Sequence, residues 1–64
     1  MTSRMVDPQD APRKPSEMFE IRVNGVWRTH RDVRRVAIET ARLLAEKESG
    51  VTIFDPRTGQ DVPL

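Results

Sequence analysis

The longest stretch of this chain without glycine or proline, residues 26–49, leaves room for one long helix. Within it, residues 30–48 are rich in Ala, Leu, Arg and Glu, which are all strong helix formers. Thr29 and Asp32 have the spacing of a capping box, with Thr29 as the N-cap and Asp32 at the third helical position. Gly50 follows and suits the left-handed position that ends many helices. The sequence therefore predicts a single helix over residues 30–48.

The residues before this helix predict a β-hairpin. Over residues 18–23, apolar and charged side chains alternate, as in a strand with one buried face, and the apolar ones are Phe19, Ile21 and Val23. Asn24-Gly25 follows, and this dipeptide favours a two-residue type I′ turn because both of its positions need positive φ. Residues 26–29 then form the return strand. In this register Trp27 lies across from Arg22, on the face opposite to the three apolar side chains.

The residues after the helix extend the predicted sheet. Val51–Asp55 is typical of a third strand, and Pro56–Gly59 of a turn. Residues 60–64 can form a short fourth strand, and the sequence does not decide whether they do. Pro63 weakens this strand because proline can lie only at a sheet edge. The predicted fold class is therefore α+β, in the order ββαβ(β). One amphipathic helix packs on one face of the sheet.

Residues 1–17 differ in composition from the rest of the chain. They hold three of the five prolines and almost no large apolar side chains. Such a segment buries too little apolar surface to offset the entropy of ordering it. We therefore predict a disordered N-terminal arm over residues 1–17 and one small domain over residues 18–64.

The predicted helix is apolar over more of its surface than one small sheet can cover. At about 100° per residue, the apolar arc spans roughly 220°, against the roughly 100° that a surface helix needs. A ridge of small residues suits close packing on the sheet, and it consists of Ala37, Ala41 and Ala45. Val36 and Leu43 lie beyond it, and we predict that they form an interface, most simply in a homodimer. Alternatively, the two are tolerated exposed side chains or lie under the arm.

The helix is similar to that of a bacterial family of small strand–strand–helix–strand domains of unknown function. The matching residues are Asp32, Ala37-Ile38, Ala41-Arg42, Ala45 and Gly50. The similarity covers roughly residues 19–60. Family members often carry a histidine directly before the aspartate, whereas this chain has Arg31 there and His30 one residue earlier. The resemblance implies the fold and no activity.

Basic residues crowd the predicted start of the helix, where the macrodipole disfavours cations. Five arginines fall within residues 22–35, against one acidic residue. Helix amides and arginines both bind phosphate, and an exposed aromatic can stack on a nucleobase. Nucleic-acid or polyanion binding is therefore an alternative hypothesis, with contacts from Trp27, Arg28, Arg31, Arg34 and Arg35. The competing interpretation is ordinary i,i+4 pairing, of Arg35 with Glu39 and of Arg42 with Glu46.

The open sheet face is the second place where an aromatic could act. Phe54 either joins Trp27 there or enters the core under the helix. A shift of one residue in strand register exchanges these two arrangements. The sequence leaves both open.

Few kinds of chemistry fit these residues. The chain has no cysteine, so it has neither a disulfide framework nor a thiolate zinc site. His30 is the only histidine and has no accompanying nucleophile or ligand set, so we predict no catalytic residue, metal, cofactor or small-molecule ligand. No apolar run suits a signal peptide or a membrane span, and we expect a cytoplasmic protein. The sequence thus favours a non-catalytic interaction module that self-associates through Val36 and Leu43.

Overall fold

The computed structural model describes residues 12–64, which form one four-stranded antiparallel sheet with a helix on one face. The elements are a 3₁₀ helix (Pro15–Glu17), β1 (Phe19–Val23), β2 (Val26–Arg31), α1 (Arg34–Ala45), β3 (Val51–Asp55) and β4 (Gln60–Val62). The strand order is β2-β1-β3-β4, and each neighbouring pair is antiparallel. The predicted α+β class and the ββαβ(β) order are confirmed, with the fourth strand present.

The β1–β2 hairpin forms around the predicted turn. Asn24 and Gly25 have φ values of 54° and 81°, as a type I′ turn requires. Arg22 pairs with Trp27 as predicted, but the register then shifts so that Ile21 pairs with Thr29. Arg28 is thus the extra residue of a β-bulge, a device that bends a strand and increases its twist.

The predicted capping box is wrong, because β2 continues past Thr29. His30 and Arg31 pair with the first two residues of β1, so the return strand ends at Arg31. Extending the ladder satisfies backbone groups that a helix start would have left without partners. Helix α1 begins three residues later, after Val33, whose side chain provides no capping hydrogen bond. The hydroxyl of Thr29 accepts a hydrogen bond from the Arg31 guanidinium, at 2.8 Å.

The helix also ends earlier than predicted, at Ala45 rather than Glu48. The backbone N–H groups of residues 46–48 still donate to the carbonyls of Leu43 and Leu44, at 2.9–3.2 Å. Gly50 has the expected positive φ, 74°, but lies in the loop before β3 rather than directly at the helix end. Its carbonyl accepts a hydrogen bond from the Asn24 N–H at 2.8 Å, which joins the hairpin turn to this loop.

The core lies between the helix and the two central strands. Five side chains in it have no accessible surface, namely Phe19, Ile21, Ala37, Ala41 and Ile53. Val62 completes the buried cluster from β4, and Ile38, Leu44 and Val51 pack against it. The predicted inward face of β1 is confirmed, as are two of the three alanines of the ridge. Ala45, the last residue of the helix, is exposed.

The packed part of the chain begins before Met18, where the predicted domain starts. Of the predicted arm, residues 1–11 lie outside the described residues. The rest of it carries the 3₁₀ helix, and the Arg13 side chain is only 6% exposed because it contacts Asp55 and Phe19. An ion pair therefore anchors this short segment, although it has few apolar side chains.

Gly50→Ala should destabilise the protein more than Gly59→Ala. Both glycines have φ of 74°, so alanine at either position costs about 1–2 kcal/mol of backbone strain. A Cβ on Gly59 meets nothing within 4 Å, whereas one on Gly50 overlaps the Asn24 side-chain amide. That overlap should cost about 1 kcal/mol more. Urea unfolding of both variants measures the difference, and equal losses would contradict the docking of the hairpin turn on Gly50.

Candidate interaction surfaces

The helix flank, which consists of Val36 and Leu43, is exposed on the described protomer. Val36 is 36% accessible and Leu43 is 64% accessible. The two are seven residues apart and so lie on one line along the helix, two turns from each other. Since Ala37 and Ala41 point into the core, the flank points sideways, past the edge of the sheet. The side chains predicted as an interface are therefore accessible in residues 12–64.

The outer ridge of the helix carries four exposed charged residues of alternating sign. In chain order they are Arg35, Glu39, Arg42 and Glu46. Within residues 12–64 the ion pairs are Arg13–Asp55, Arg22–Glu20 and Arg28–Glu48. The i,i+4 pairs expected along the helix are therefore not formed in the described structure, and the ridge presents its charges to solvent.

A groove of about 480 Å³ separates the helix from β2, and Leu43 forms part of its wall. Its other lining residues are Arg28, Thr29, Arg31, Thr40, Leu44, Glu46 and Lys47. Arg28 makes two hydrogen bonds to the Glu48 carboxylate, at 2.6 and 2.7 Å. This contact raises the pKa of Arg28 and lowers that of Glu48. The groove is therefore apolar along the helix and has a partly neutralised charged rim.

The exposed edge of β2 is poorly suited to adding another strand. The bulge at Arg28 interrupts its regular pairing with β1. The Arg31 guanidinium donates to the carbonyl oxygen of His30 at 2.6 Å and so occupies a backbone acceptor of this edge strand. Bulges and charged side chains are the usual means by which edge strands avoid pairing with other chains. The helix flank is the better candidate for association.

The open sheet face, opposite to the helix, carries both Trp27 and Phe54. Trp27 pairs with Arg22, and Phe54 pairs with Glu20, so the register places both aromatics on this face. The Arg22 guanidinium lies 4.4 Å from the centre of the Phe54 ring and forms an ion pair with Glu20 at 2.7 Å. Trp27 is 55% exposed. The question that the sequence left open is thus decided in favour of a shared face.

The structure divides the five predicted anion contacts among separate surfaces. Trp27 lies on the open sheet face, whereas Arg28 and Arg31 line the groove on the helix side. Arg34 lies at the first position of the helix beside Asp55, and Arg35 belongs to the outer ridge. The helix-start arginines therefore do not surround Trp27. Nucleic-acid or polyanion binding stays a prediction, without the single patch that we expected.

The ion pair between Arg13 and Asp55 is the most buried one in the described residues. The Nη1–Oδ1 distance is 2.6 Å and the Nη2–Oδ2 distance 3.4 Å, with side chains 6% and 9% exposed. The guanidinium also lies 3.9 Å from the centre of the Phe19 ring. This contact was not predicted from the sequence, because Arg13 lies within the predicted arm. Asp55 is the sequence signal that could have indicated such a contact. It continues the inward alternation of Val51 and Ile53, and a buried carboxylate needs a partner.

Two opposing effects act on the Asp55 carboxyl. Burial, the largest single effect, raises its pKa because the charged form loses solvation. The hydrogen bond from Arg13, the backbone N–H of Arg57 at 2.9 Å and the positive charges of both arginines act in the other direction. Together they outweigh burial and hold the pKa of Asp55 below its usual value.

Comparisons of the chain with protein-family models, with curated proteins and with solved structures find no match. The resemblance drawn from the helix residues therefore stays a prediction. Residues 12–64 contain no group of three or more His, Cys, Asp or Glu side chains that could hold a metal ion. Over the same residues, no helix has the length and apolar character needed to cross a membrane.

The stability of the protein should fall as the pH drops below about 4, the region where an aspartate in an unfolded chain titrates. The pKa of Asp55 is lower in the folded state, so the unfolded state binds the proton first and gains stability on acidification. Asp55→Asn should cost about 1–3 kcal/mol at neutral pH and remove this part of the acid sensitivity. Unfolding free energies measured across the acid range test this. Asp61→Asn, at an exposed site, is the control, and an unchanged acid profile in Asp55→Asn would contradict the assignment.

Proposed function

We propose that this protein is a small non-catalytic interaction module that self-associates through helix α1, with the helices of two copies antiparallel. The observation that carries the proposal is the exposure of the helix flank, 64% at Leu43 and 36% at Val36, beside a mainly apolar groove. Full burial of an exposed side chain of this size contributes about 1.5–3 kcal/mol, and Val36, which is already partly covered, contributes less than Leu43. In an antiparallel arrangement, Val36 of each copy meets Leu43 of the other.

The outer ridge supports an antiparallel rather than a parallel pair. Its order, Arg-Glu-Arg-Glu, becomes Glu-Arg-Glu-Arg when the helix is reversed. Arg35 of one copy then lies across from Glu46 of the second copy, and Glu39 from Arg42. Because a two-fold axis repeats every contact, each pairing occurs twice. Solvated pairs of this kind each contribute about 0.2–1 kcal/mol, so they set orientation more than affinity.

The direction of the helix charges also supports this geometry. Arg34 and Arg35 lie in the first turn of the helix and Glu46 at its C-cap, opposite to what the macrodipole favours, whereas Arg42 in the last turn is favourably placed. Antiparallel pairing places the arginines of one copy beside the C-terminal end of the helix of the second copy. Charges that are unfavourable for the dipole of their own helix thus become favourable for the dipole of the helix in the second copy.

The interface formed by one helix from each copy is small, so we expect a weak and reversible dimer. We place this association in the cytoplasm, because a secreted domain of this size would usually contain disulfides and the chain has no cysteine. The role of the module is to bring two copies of the chain together. The surfaces of each copy outside the helix flank stay accessible for further contacts.

The double variant Val36→Asp, Leu43→Asp should be monomeric at concentrations at which the natural protein dimerises. At each of the two symmetric contacts, two carboxylates would then face each other and lose their solvation on association. Sedimentation equilibrium measures the change, and circular dichroism shows whether the variant is folded. Val26→Asp is the matched control, because Val26 is 68% exposed and lies in the hairpin, outside the helix. A natural protein that is monomeric throughout would refute the proposal.

Two charge variants test the orientation of the helices. Arg35→Glu, Arg42→Glu makes the outer ridge wholly acidic, and Glu39→Arg, Glu46→Arg makes it wholly basic. Each should self-associate at least about fivefold more weakly than the natural protein, because like charges then meet along the rim. An equal mixture should form a heterodimer, detected by native mass spectrometry.

A further control separates this result from general attraction between oppositely charged chains. Adding Val36→Asp, Leu43→Asp to the acidic variant keeps the net charge of that variant negative but replaces the apolar side chains of the helix flank with carboxylates. The mixture should then contain no heterodimer. A heterodimer that survives this change would show that the helix flank is not the interface.

A further inference from the structure

Residues 12–18, the described part of the chain before β1, are joined to the rest of the domain by hydrogen bonds of the Arg13 side chain. Among the described residues, the hydrogen bonds between residues 12–18 and the remainder of the chain all come from Arg13. The Glu17 N–H donates to the Lys14 carbonyl, and Arg13 also donates to the Glu17 carbonyl, both within the segment. Withdrawal of Arg13 would therefore remove these hydrogen bonds without breaking any sheet or helix hydrogen bond among the described residues.

The contact of Arg13 has the form of a binding site with its ligand in place. We call the Asp55 carboxylate together with the Phe19 ring the guanidinium socket. Phe19 begins β1 and Asp55 ends β3, the two central strands, so strand pairing positions the backbone of both residues. The Asp55 carboxylate accepts the Arg57 N–H at 2.9 Å, and its backbone carbonyl accepts the Gly59 N–H at 2.8 Å. Strand pairing and turn hydrogen bonds that do not involve Arg13 therefore position both parts of the socket.

The chemistry of the socket selects arginine over other cations. A carboxylate accepts two roughly parallel hydrogen bonds from a guanidinium, and an aromatic ring attracts its flat face. An ammonium group provides neither the planar fork nor the stacking surface. Arg13 uses both features, at 2.6 and 3.4 Å from the two carboxylate oxygens and 3.9 Å from the ring centre.

Two observations indicate that the bound guanidinium can be exchanged. The Nε of Arg13 is buried without a hydrogen-bond partner among the described residues, and this unsatisfied donor lowers the net free energy gained by the contact of Arg13. A pocket of about 220 Å³ borders the ion pair, and its charged lining residues are Arg13, Arg34, Asp55 and Asp61. This pocket offers an approach for a side chain from another molecule.

We propose that the guanidinium socket is an arginine-binding site, which the chain occupies with its own Arg13. An arginine side chain of another polypeptide binds there once Arg13 is withdrawn. The site is distinct from the helix flank, and it does not depend on self-association. It gives the module a second contact, specific for an arginine-containing segment of a partner.

The test uses the full chain with Arg13→Ala and the probe N-acetyl-arginine amide, followed by the backbone NMR signals of Arg57 and Gly59. We expect saturable shifts in Arg13→Ala. In the natural protein the tethered Arg13 competes at a high effective concentration, so the probe should bind at least about tenfold more weakly. N-acetyl-lysine amide should also bind at least about tenfold more weakly to Arg13→Ala.

The double variant Arg13→Ala, Asp55→Asn isolates the carboxylate and should lose binding of the probe. If Arg13→Ala alone does not fold, restoration of its folded signals by N-acetyl-arginine amide, and not by the lysine compound, supports the socket. Arg13→Lys provides a second starting point, because the probe should displace the introduced ammonium group at lower concentration than it displaces the natural guanidinium. Absence of saturable binding or rescue, or equal effects of the two compounds, would overturn the proposal.

Discussion

The contact between helix α1 and the central strands depends on two alanines, Ala37 and Ala41, which have no accessible surface. Side chains this small let the helix backbone approach the sheet closely and fix which way the helix is rotated. Once they point inward, the 100° step between residues directs Val36 and Leu43 to the side, past the sheet. The exposed flank is thus a direct result of how the core is packed.

The second constraint comes from a carboxylate in a row of inward-facing positions. Asp55 follows Val51 and Ile53 on the face of β3 that meets the core, where an unpaired charge would be costly. Arg13 provides the opposite charge, and its guanidinium also lies against the Phe19 ring. A single ion pair therefore draws a proline-rich segment into the folded unit. The same pair makes the folded unit sensitive to acid and gives it a site with a clear chemical preference.

Local sequence signals predicted the presence of β1, β2 and β3, the Asn24-Gly25 turn and the inward face of β1 correctly, because each depends on neighbouring residues. Both ends of the helix were predicted wrongly. The start failed because Thr29 and the two residues after it find strand partners in β1, and this pairing outweighs the local capping pattern. The i,i+4 ion pairs expected along the helix surface are not formed among the described residues, because solvated charges gain little free energy from pairing.

The sequence alone determined that this chain forms one helix and a small sheet, and that Val36 and Leu43 lie apart from the alanine ridge. These properties follow from periodicity and turn chemistry, which act over a few residues. Only the tertiary structure decided that Trp27 and Phe54 share the open face, that the predicted anion contacts fall on different surfaces, and that Arg13 meets Asp55. Strand register and a contact across 42 residues depend on how distant parts of the chain fit together, and no local pattern encodes that fit.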